Sequence, residues 1–235
     1  EEVFMNGMLI LAIALSAVVS YLLGSINSAI IVGKLIKHQD IRTLGSKNAG
    51  LTNTLRCFGK GCALITLIGD LAKGVVAVFI SKGICTLMDV SLAGDEKLQF
   101  IGYVAGIAAI LGHVFPLYYG FRGGKGVLVG VSVFLVIDWR AFLIMILIFS
   151  VVLAISKYVS LGSIVASCFC PVVTFLLQII RFPERPMWYI LLNTGMAAAM
   201  GLWVIWMHRT NIERLKNGCE NRFSFNSKSG KTAEK

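Results

Sequence analysis

Charge is what this chain of 235 residues has least of: 14% is Asp, Glu, Lys or Arg, while 57% is hydrophobic. Soluble domains carry about 25% charged and about 45–50% apolar residues, so a water-soluble globular fold is excluded. None of the six cysteines (Cys57, Cys62, Cys85, Cys168, Cys170, Cys219) forms a CxxC pair, and no Cys and His stand at zinc-finger spacing. They read as reduced packing residues, and neither a metal nor a cofactor is called for. The first apolar run has no basic stretch before it and extends over 7–36, too long for the apolar region of a cleaved leader. An internal repeat is missing as well, which argues against a transporter built from inverted halves. The net charge is +10, but no RNA- or DNA-binding motif occupies the loops, so nucleic acid is excluded as a partner. Anionic lipid head groups and phosphate substrates are the expected attraction.

What is present is a series of apolar runs, with a mean hydropathy of +0.80. A transmembrane helix needs about 20 mostly apolar residues. Spans are expected at 7–36, 61–88, 98–113, 126–138, 141–156, 161–180 and 188–207, predicting an all-α polytopic membrane protein of about seven transmembrane helices. The fourth and fifth are short and nearly continuous through Asp138, Trp139 and Arg140, which leaves five or six spans as the competing count. With seven, the loops 37–60, 114–125 and 157–160 and the tail from 208 share one side, which holds sixteen of the 22 lysines and arginines against five opposite. The positive-inside rule places that side in the cytoplasm. Residues 1–221 form one membrane domain, and the polar stretch 222–235 is expected to be a disordered tail.

The cytoplasmic loops are dense in Gly, Asn, Ser, Thr and cations. The first reads DIRTLGSKNAGLTNTLRCFGKG: Ser46, Asn48, Thr52 and Asn53 supply neutral donors, and Arg42 and Arg56 supply fixed charge for an anion. The second reads GHVFPLYYGFRGGKGV, in which Gly123, Gly124 and Gly126 can bring backbone N–H groups to phosphate oxygens and Lys125 adds a point charge. It is not a Walker A loop, since the G-x4-G-K-[ST] spacing fails and no Ser or Thr follows Lys125. His113 sits where the third span meets this loop. Within the second span Asp70 and Lys73 share a helix face, and mutual pairing is the cheapest account of charges at that depth. HRTNIERLKNGCE follows the last span, with His208 and Asn211 three apart and Glu220 beyond Gly218. A short loop adds Ser160 and Ser163 on the same side.

These motifs together resemble one family. GSKNAGLTN with Arg56, Asp70-x2-Lys73-Gly74, GHVFP with FRGGKGV, and HRxNIxRLxxGxE are similar, in order and from Gly24 to about Asn221, to the bacterial acyl-phosphate:glycerol-3-phosphate acyltransferases (PlsY). The resemblance implies a seven-helix enzyme of the bacterial inner membrane with its site facing the cytoplasm. It would acylate the sn-1 position of glycerol 3-phosphate to give lysophosphatidic acid for phospholipid synthesis. It further implies catalytic roles for Ser46, Arg56, Lys125, His208 and Asn211, a substrate-contacting serine at Ser163, and a phosphate-binding loop at Gly123–Gly126. Asn48, Thr52, Asn53 and His113 are expected to contact substrate, and Asp70, Lys73 and Glu220 to support the site. The implied partners are acyl-phosphate, glycerol 3-phosphate and membrane lipids, with docking of the soluble acyl-phosphate-producing enzyme an open question.

Asn27 stands where the family has proline, which removes the usual cause of a break in the first span. Lys47 replaces a family glycine and predicts a position with no need of positive φ. An acyl-phosphate is a mixed anhydride with a good leaving group, so direct attack by the glycerol hydroxyl is expected, without an acyl-enzyme. Arg56 and Lys125 would neutralise the two phosphates. No side chain is an obvious base. The His-x4-Asp pair of other glycerolipid acyltransferases is absent, and a phosphate oxygen, His113 or His208 remain as proton acceptors. The rival reading is an anion or organophosphate transporter.

Overall fold

The computed structural model describes residues 2–90 and 99–223. Among them are nine α-helices: α1 (Glu2–Gly24), α2 (Ser28–Lys37), α3 (Leu51–Leu87), α4 (Gln99–Val114), α5 (Val127–Ile137), α6 (Trp139–Ser156), α7 (Val159–Arg181), α8 (Met187–Met207) and α9 (Arg209–Lys216). No strand occurs among the described residues. Six helical segments are long and apolar enough to cross a membrane, and α5 is the shorter apolar seventh. At 11 residues it is only about 16 Å long. It still reaches the far end of the bundle, because the Ile137 carbonyl accepts a hydrogen bond from Gln99 Nε2 at the start of α4, at 3.2 Å. Asp138 then ends α5 with extended backbone and caps α6 by accepting from the Arg140 amide.

The first span does break, although the proline that usually causes such a break is missing. Asn27 is fully buried and caps α2, its side-chain oxygen accepting from the Ile30 amide at 3.0 Å. An Asn cap satisfies an otherwise orphaned helix donor and ends the preceding helix without proline. Its amide nitrogen also donates to the Ala49 carbonyl at 3.3 Å, tying the break to the first polar loop. A second break lies inside α3, where Gly59 takes φ 82, ψ −176 and separates a short helix carrying Arg56 from the long span beyond.

α4 is the central helix, buried along most of its length. It is lined with Gly and Ala, so neighbours approach closely: a Cβ on Gly24 of α1 would lie 2.2 Å from the Ala109 carbonyl oxygen. Close backbone approach is how helices gain packing energy where lipid supplies no hydrophobic drive. The main core joins α3, α4, α5, α6, α7 and α8 through Val78, Tyr103, Val133, Phe134 and Met200. α6 fully buries only Ala141 and Met145, packs Phe142, Ile144 and Ile148 partly against the core, and exposes Leu143, Ile146, Leu147, Val151 and Ile155, as expected of a lipid-facing helix. Phe223 donates its amide to the Lys157 carbonyl at 2.7 Å, so the chain is held through 223. The rest of the predicted tail, from 224, lies outside the described residues.

Candidate active site

One end of the bundle encloses a cavity of about 450 Å³, bounded by all four polar segments singled out in the sequence. Ser46, Asn48, Thr52, Asn53, Arg56, Asp70, His113, Gly123, Gly124, Lys125, Gly126, Ser163, His208, Asn211 and Glu220 all line it. Lys73 lies beneath the floor.

The first loop is built around Asn53, which is 1% exposed. Its side-chain oxygen accepts from the Ser46 amide at 2.9 Å, and its NH2 donates to the carbonyls of Ile41, Leu44 and Asn48. Both N–H groups and the carbonyl are consumed, so Asn53 staples the loop and has no donor left to orient a substrate. Gly45 and Lys47 both take positive φ, 55 and 58. The expectation for Lys47 is therefore wrong: the turn needs the left-handed region here, and lysine adopts it against its steric preference. Arg42 is also committed elsewhere, to Asp40 and to carbonyls of the second loop. Arg56 and Lys47 make no side-chain hydrogen bond or ion pair among the described residues, and both line the cavity as cations available to a ligand.

Two glycines of the second loop, Gly123 and Gly124, have another role than the one their spacing suggests. The Gly123 amide donates to the Val114 carbonyl at 3.0 Å and the Gly124 amide to the His113 carbonyl at 3.1 Å. Neither N–H is free for phosphate. Glycine is needed for closeness: a Cβ on Gly123 would lie 1.9 Å from the His113 carbonyl oxygen, and one on Gly124 would lie 2.1 Å from His113 Nε2 and 2.6 Å from the Ala49 carbonyl. The loop is thereby pressed onto the end of α4 and carries Lys125 to the cavity, where its ammonium donates to Asn211 Oδ1. Burial, then the charge of Arg214, lowers the Lys125 pKa to about 8, against the opposing pull of Glu220.

Free backbone donors come instead from helix N-termini. The first turns of α3 (Leu51, Thr52), α5 (Val127, Leu128), α7 (Val159, Ser160) and α9 (Arg209, Thr210) all line the cavity. None of the four has a side-chain cap. Each such end carries unsatisfied N–H groups and about half a positive charge. Their convergence, with Arg56 and Lys125, makes a site for anions. Sequence reasoning missed this; the usable signals are Gly50 and Gly126, each standing directly before a helical apolar run.

Below lies a buried polar cluster. Lys73 Nζ meets Asp70 Oδ1 at 2.9 Å, His113 Nδ1 at 2.8 Å and the Ile26 carbonyl at 3.0 Å. It joins α3, α4 and the break in the first span under the second loop. On the opposite wall Glu220 accepts from Ser160 Oγ (3.1 Å), Asn211 Nδ2 (3.0 Å) and Arg214 Nε (2.7 Å). It thus orients Asn211, the acceptor of Lys125. Arg209, Thr210 and Arg214 line the cavity too and were not singled out, although their neighbours His208 and Asn211 were. His208 Nδ1 lies 2.7 Å from the Val204 carbonyl. A carbonyl only accepts, so Nδ1 carries the proton and Nε2 keeps its lone pair. Burial and then the Lys125 charge lower the His208 pKa to about 4, so the ring is neutral at pH 7.

Ser163 donates to the Val159 carbonyl at 3.0 Å and stands where the cavity meets a second, apolar cleft. That cleft, about 100 Å³, runs between α4, α5, α6, α7 and α8 past Phe134, Met145, Ala166, Cys170 and Met200. Val127, Leu128 and Phe149 border both spaces.

A cationic cavity at one end of a bundle of membrane-length apolar helices, sharing Val127, Leu128, Phe149 and Ser163 with an adjoining apolar cleft, marks an integral membrane protein with a chamber suited to anions. The family model described as glycerol-3-phosphate acyltransferase matches residues 14–218, and the chain belongs to that family. It is 41% identical over 208 residues to the glycerol-3-phosphate acyltransferase of Clostridioides difficile strain 630, covering 88% of this chain and 93% of that one. The namesake in Chlorobaculum tepidum is 37% identical over 227 residues, covering 90% and 96%. Among solved structures, the crystal structure of PlsY (YgiH), an integral membrane glycerol 3-phosphate acyltransferase, in its glycerol 3-phosphate form, superposes with a TM-score of 0.74 at 30% identity. The match covers 90% of this chain and 96% of that one. The lysophosphatidic acid form of the same protein gives 0.72 at 29% identity, covering 91% and 96%.

Proposed function

We propose that this chain moves a fatty acyl group from acyl-phosphate to the sn-1 hydroxyl of glycerol 3-phosphate, releasing phosphate and lysophosphatidic acid for phospholipid synthesis. The observation that carries this reading is the pairing of spaces: a cavity lined by Lys47, Arg56, Arg122, Lys125 and Arg209, none with a carboxylate partner among the described residues, and by four uncapped helix N-termini, beside a cleft of apolar side chains. Two phosphates need such a polar chamber, and one acyl chain needs such a cleft. The solved relatives bound glycerol 3-phosphate and lysophosphatidic acid in turn, which are the acceptor and product proposed here.

The transfer is direct. The sn-1 oxygen bonds to the acyl carbonyl carbon, the bond from that carbon to the phosphate oxygen breaks, and the hydroxyl proton leaves on a phosphate oxygen. Arg56, Lys125 and the helix N-termini neutralise both phosphates and hold the two reactants together, which contributes through orientation and fixed charge. His208 Nε2, with its lone pair left free by the Nδ1 bond, accepts from the neighbouring hydroxyl of glycerol 3-phosphate and so orients the acceptor, leaving the proton of the attacking hydroxyl to the phosphate oxygen. His113 is unsuited to this, because its Nδ1 faces Lys73 and its Nε2 side is packed against Gly124. Ser163 lies at the junction the acyl carbonyl would occupy.

Purified protein given glycerol 3-phosphate should form lysophosphatidic acid with acyl-phosphate as donor and not with acyl-CoA, and EDTA should leave the rate unchanged. Equal use of acyl-CoA, or loss of activity with EDTA, would contradict this reading. The cavity faces the cytoplasm of a bacterial inner membrane in this account, the side from which a soluble enzyme delivers acyl-phosphate. Cys57 and Cys219, each left as the sole cysteine, should resist labelling by an impermeant thiol reagent in intact cells and react after lysis. Labelling of Cys219 from outside would reverse the orientation.

A further inference from the structure

Arg42 does not line the cavity, and its guanidinium is spent inside the protein. Nε and Nη2 donate to the Asp40 carboxylate at 3.0 and 2.7 Å. Nη1 donates to the carbonyls of Tyr119, at 2.6 Å, and Arg122, at 3.1 Å. Asp40 is fixed in turn by accepting from the Arg42 amide at 2.9 Å. The two carbonyls bracket Gly120 and Phe121, both left-handed with φ 67 and 58. Phe121 is not glycine and is 53% exposed, so its own burial does little to offset that conformation. Among the described residues no other hydrogen bond joins 38–60 to 115–126.

The bracketed turn leads into the site. Tyr119 and Phe121 donate their amides to the Pro116 carbonyl, Gly123 and Gly124 follow with their bonds to Val114 and His113, and Lys125 comes next. We propose that Arg42, clasped to Asp40, is a positioning residue that holds this turn by the Tyr119 and Arg122 carbonyls and so sets where Lys125 meets a substrate phosphate. The proposal rests on the reading of Lys125 given above. A bidentate, charge-assisted pair suits the task, since its planar fork fixes direction as well as distance. The Arg42 side chain also holds the Asp40 carboxyl below its usual range, and Asp40 raises Arg42, so the clasp stays charged at neutral pH.

A double-mutant cycle with Arg42→Ala and Lys125→Ala tests it. Arg42→Ala should raise the KM for glycerol 3-phosphate about tenfold or more with kcat within about threefold, and in the Lys125→Ala background it should add less than about threefold. Arg42→Lys, which keeps the charge and can reach one carbonyl, should recover part of the loss. Independent, multiplying effects would overturn the proposal. Hydrogen exchange supplies a readout free of activity: the amides of Phe121, Gly123 and Gly124 should exchange about tenfold faster in Arg42→Ala, and in the milder Asp40→Asn, with α8 unchanged. Unchanged exchange in that turn would overturn the clasp even in an active enzyme. Failure of the wild type to use glycerol 3-phosphate would overturn the functional reading alone, and exchange would still decide the role of Arg42.

Discussion

Lys125→Ala should lower kcat/KM for glycerol 3-phosphate by about 10- to 150-fold, with the change falling on KM. Hydrogen bonds to charged groups contribute about 1.5–3 kcal/mol, and about 1.4 kcal/mol is a factor of ten. The loss falls on KM because the ammonium meets the acceptor's phosphate equally in the ground and transition states. A pH dependence follows with a definite sign. The Lys125 pKa in the empty cavity lies at about 8, and only the ammonium form attracts phosphate. Wild-type kcat/KM, which reports the free enzyme, should therefore fall as pH rises through about 8. Lys125→Arg, charged throughout, should lose that decline. A glycerol 3-phosphate KM unchanged in Lys125→Ala, with the acyl-phosphate KM raised, would assign the residue to the donor.

Lys73→Met should be the most destabilising single change at the site. The Lys73 and Asp70 side chains are only 6% and 2% exposed, and their pairing distance is 2.9 Å. Removing one partner of a buried pair costs about 3–5 kcal/mol, because the remaining charge is left without compensation, whereas replacing both by apolar groups is often near neutral. Besides Lys73, the one charged or titratable partner of Asp70 among the described residues is His113, whose Nδ1 lies 3.8 Å away. Thermal unfolding in detergent should show a marked fall in Tm for Lys73→Met and recovery of most of it in Lys73→Met with Asp70→Leu. A single mutant as stable as wild type would mean the pair is dispensable to the fold.

Much of this architecture is legible in the sequence because lipid imposes length and hydropathy on each span, and because the polar residues cluster in loops on one side. The break at Asn27 and the left-handed turn at Lys47 are hidden in the sequence for a common reason: a missing proline or glycine says nothing of what replaces it, whereas Asn supplies a cap by its side chain and lysine is held in positive φ by the loop around it. Asn53 and Arg42 looked like ligand groups by type; only coordinates show that their hydrogen-bonding capacity is taken up by backbone carbonyls and Asp40. The four converging helix N-termini are invisible to motif reasoning, since their contribution comes from backbone direction and any residue there supplies the same N–H. The apolar cleft beside Ser163 is likewise a property of packing among five helices, each of which reads alone as an ordinary span.

The central claim is that both phosphates share one chamber and that the acyl group passes between them without resting on the protein. Rapid mixing of stoichiometric acyl-phosphate with the enzyme, followed by acid quench and intact-protein mass spectrometry, tests it most directly. Without glycerol 3-phosphate the protein mass should stay unchanged and the acyl-phosphate intact; with it, one lysophosphatidic acid and one phosphate should appear together in a single turnover. A protein heavier by one acyl group before glycerol 3-phosphate is added, chased to lysophosphatidic acid afterwards, would contradict the account.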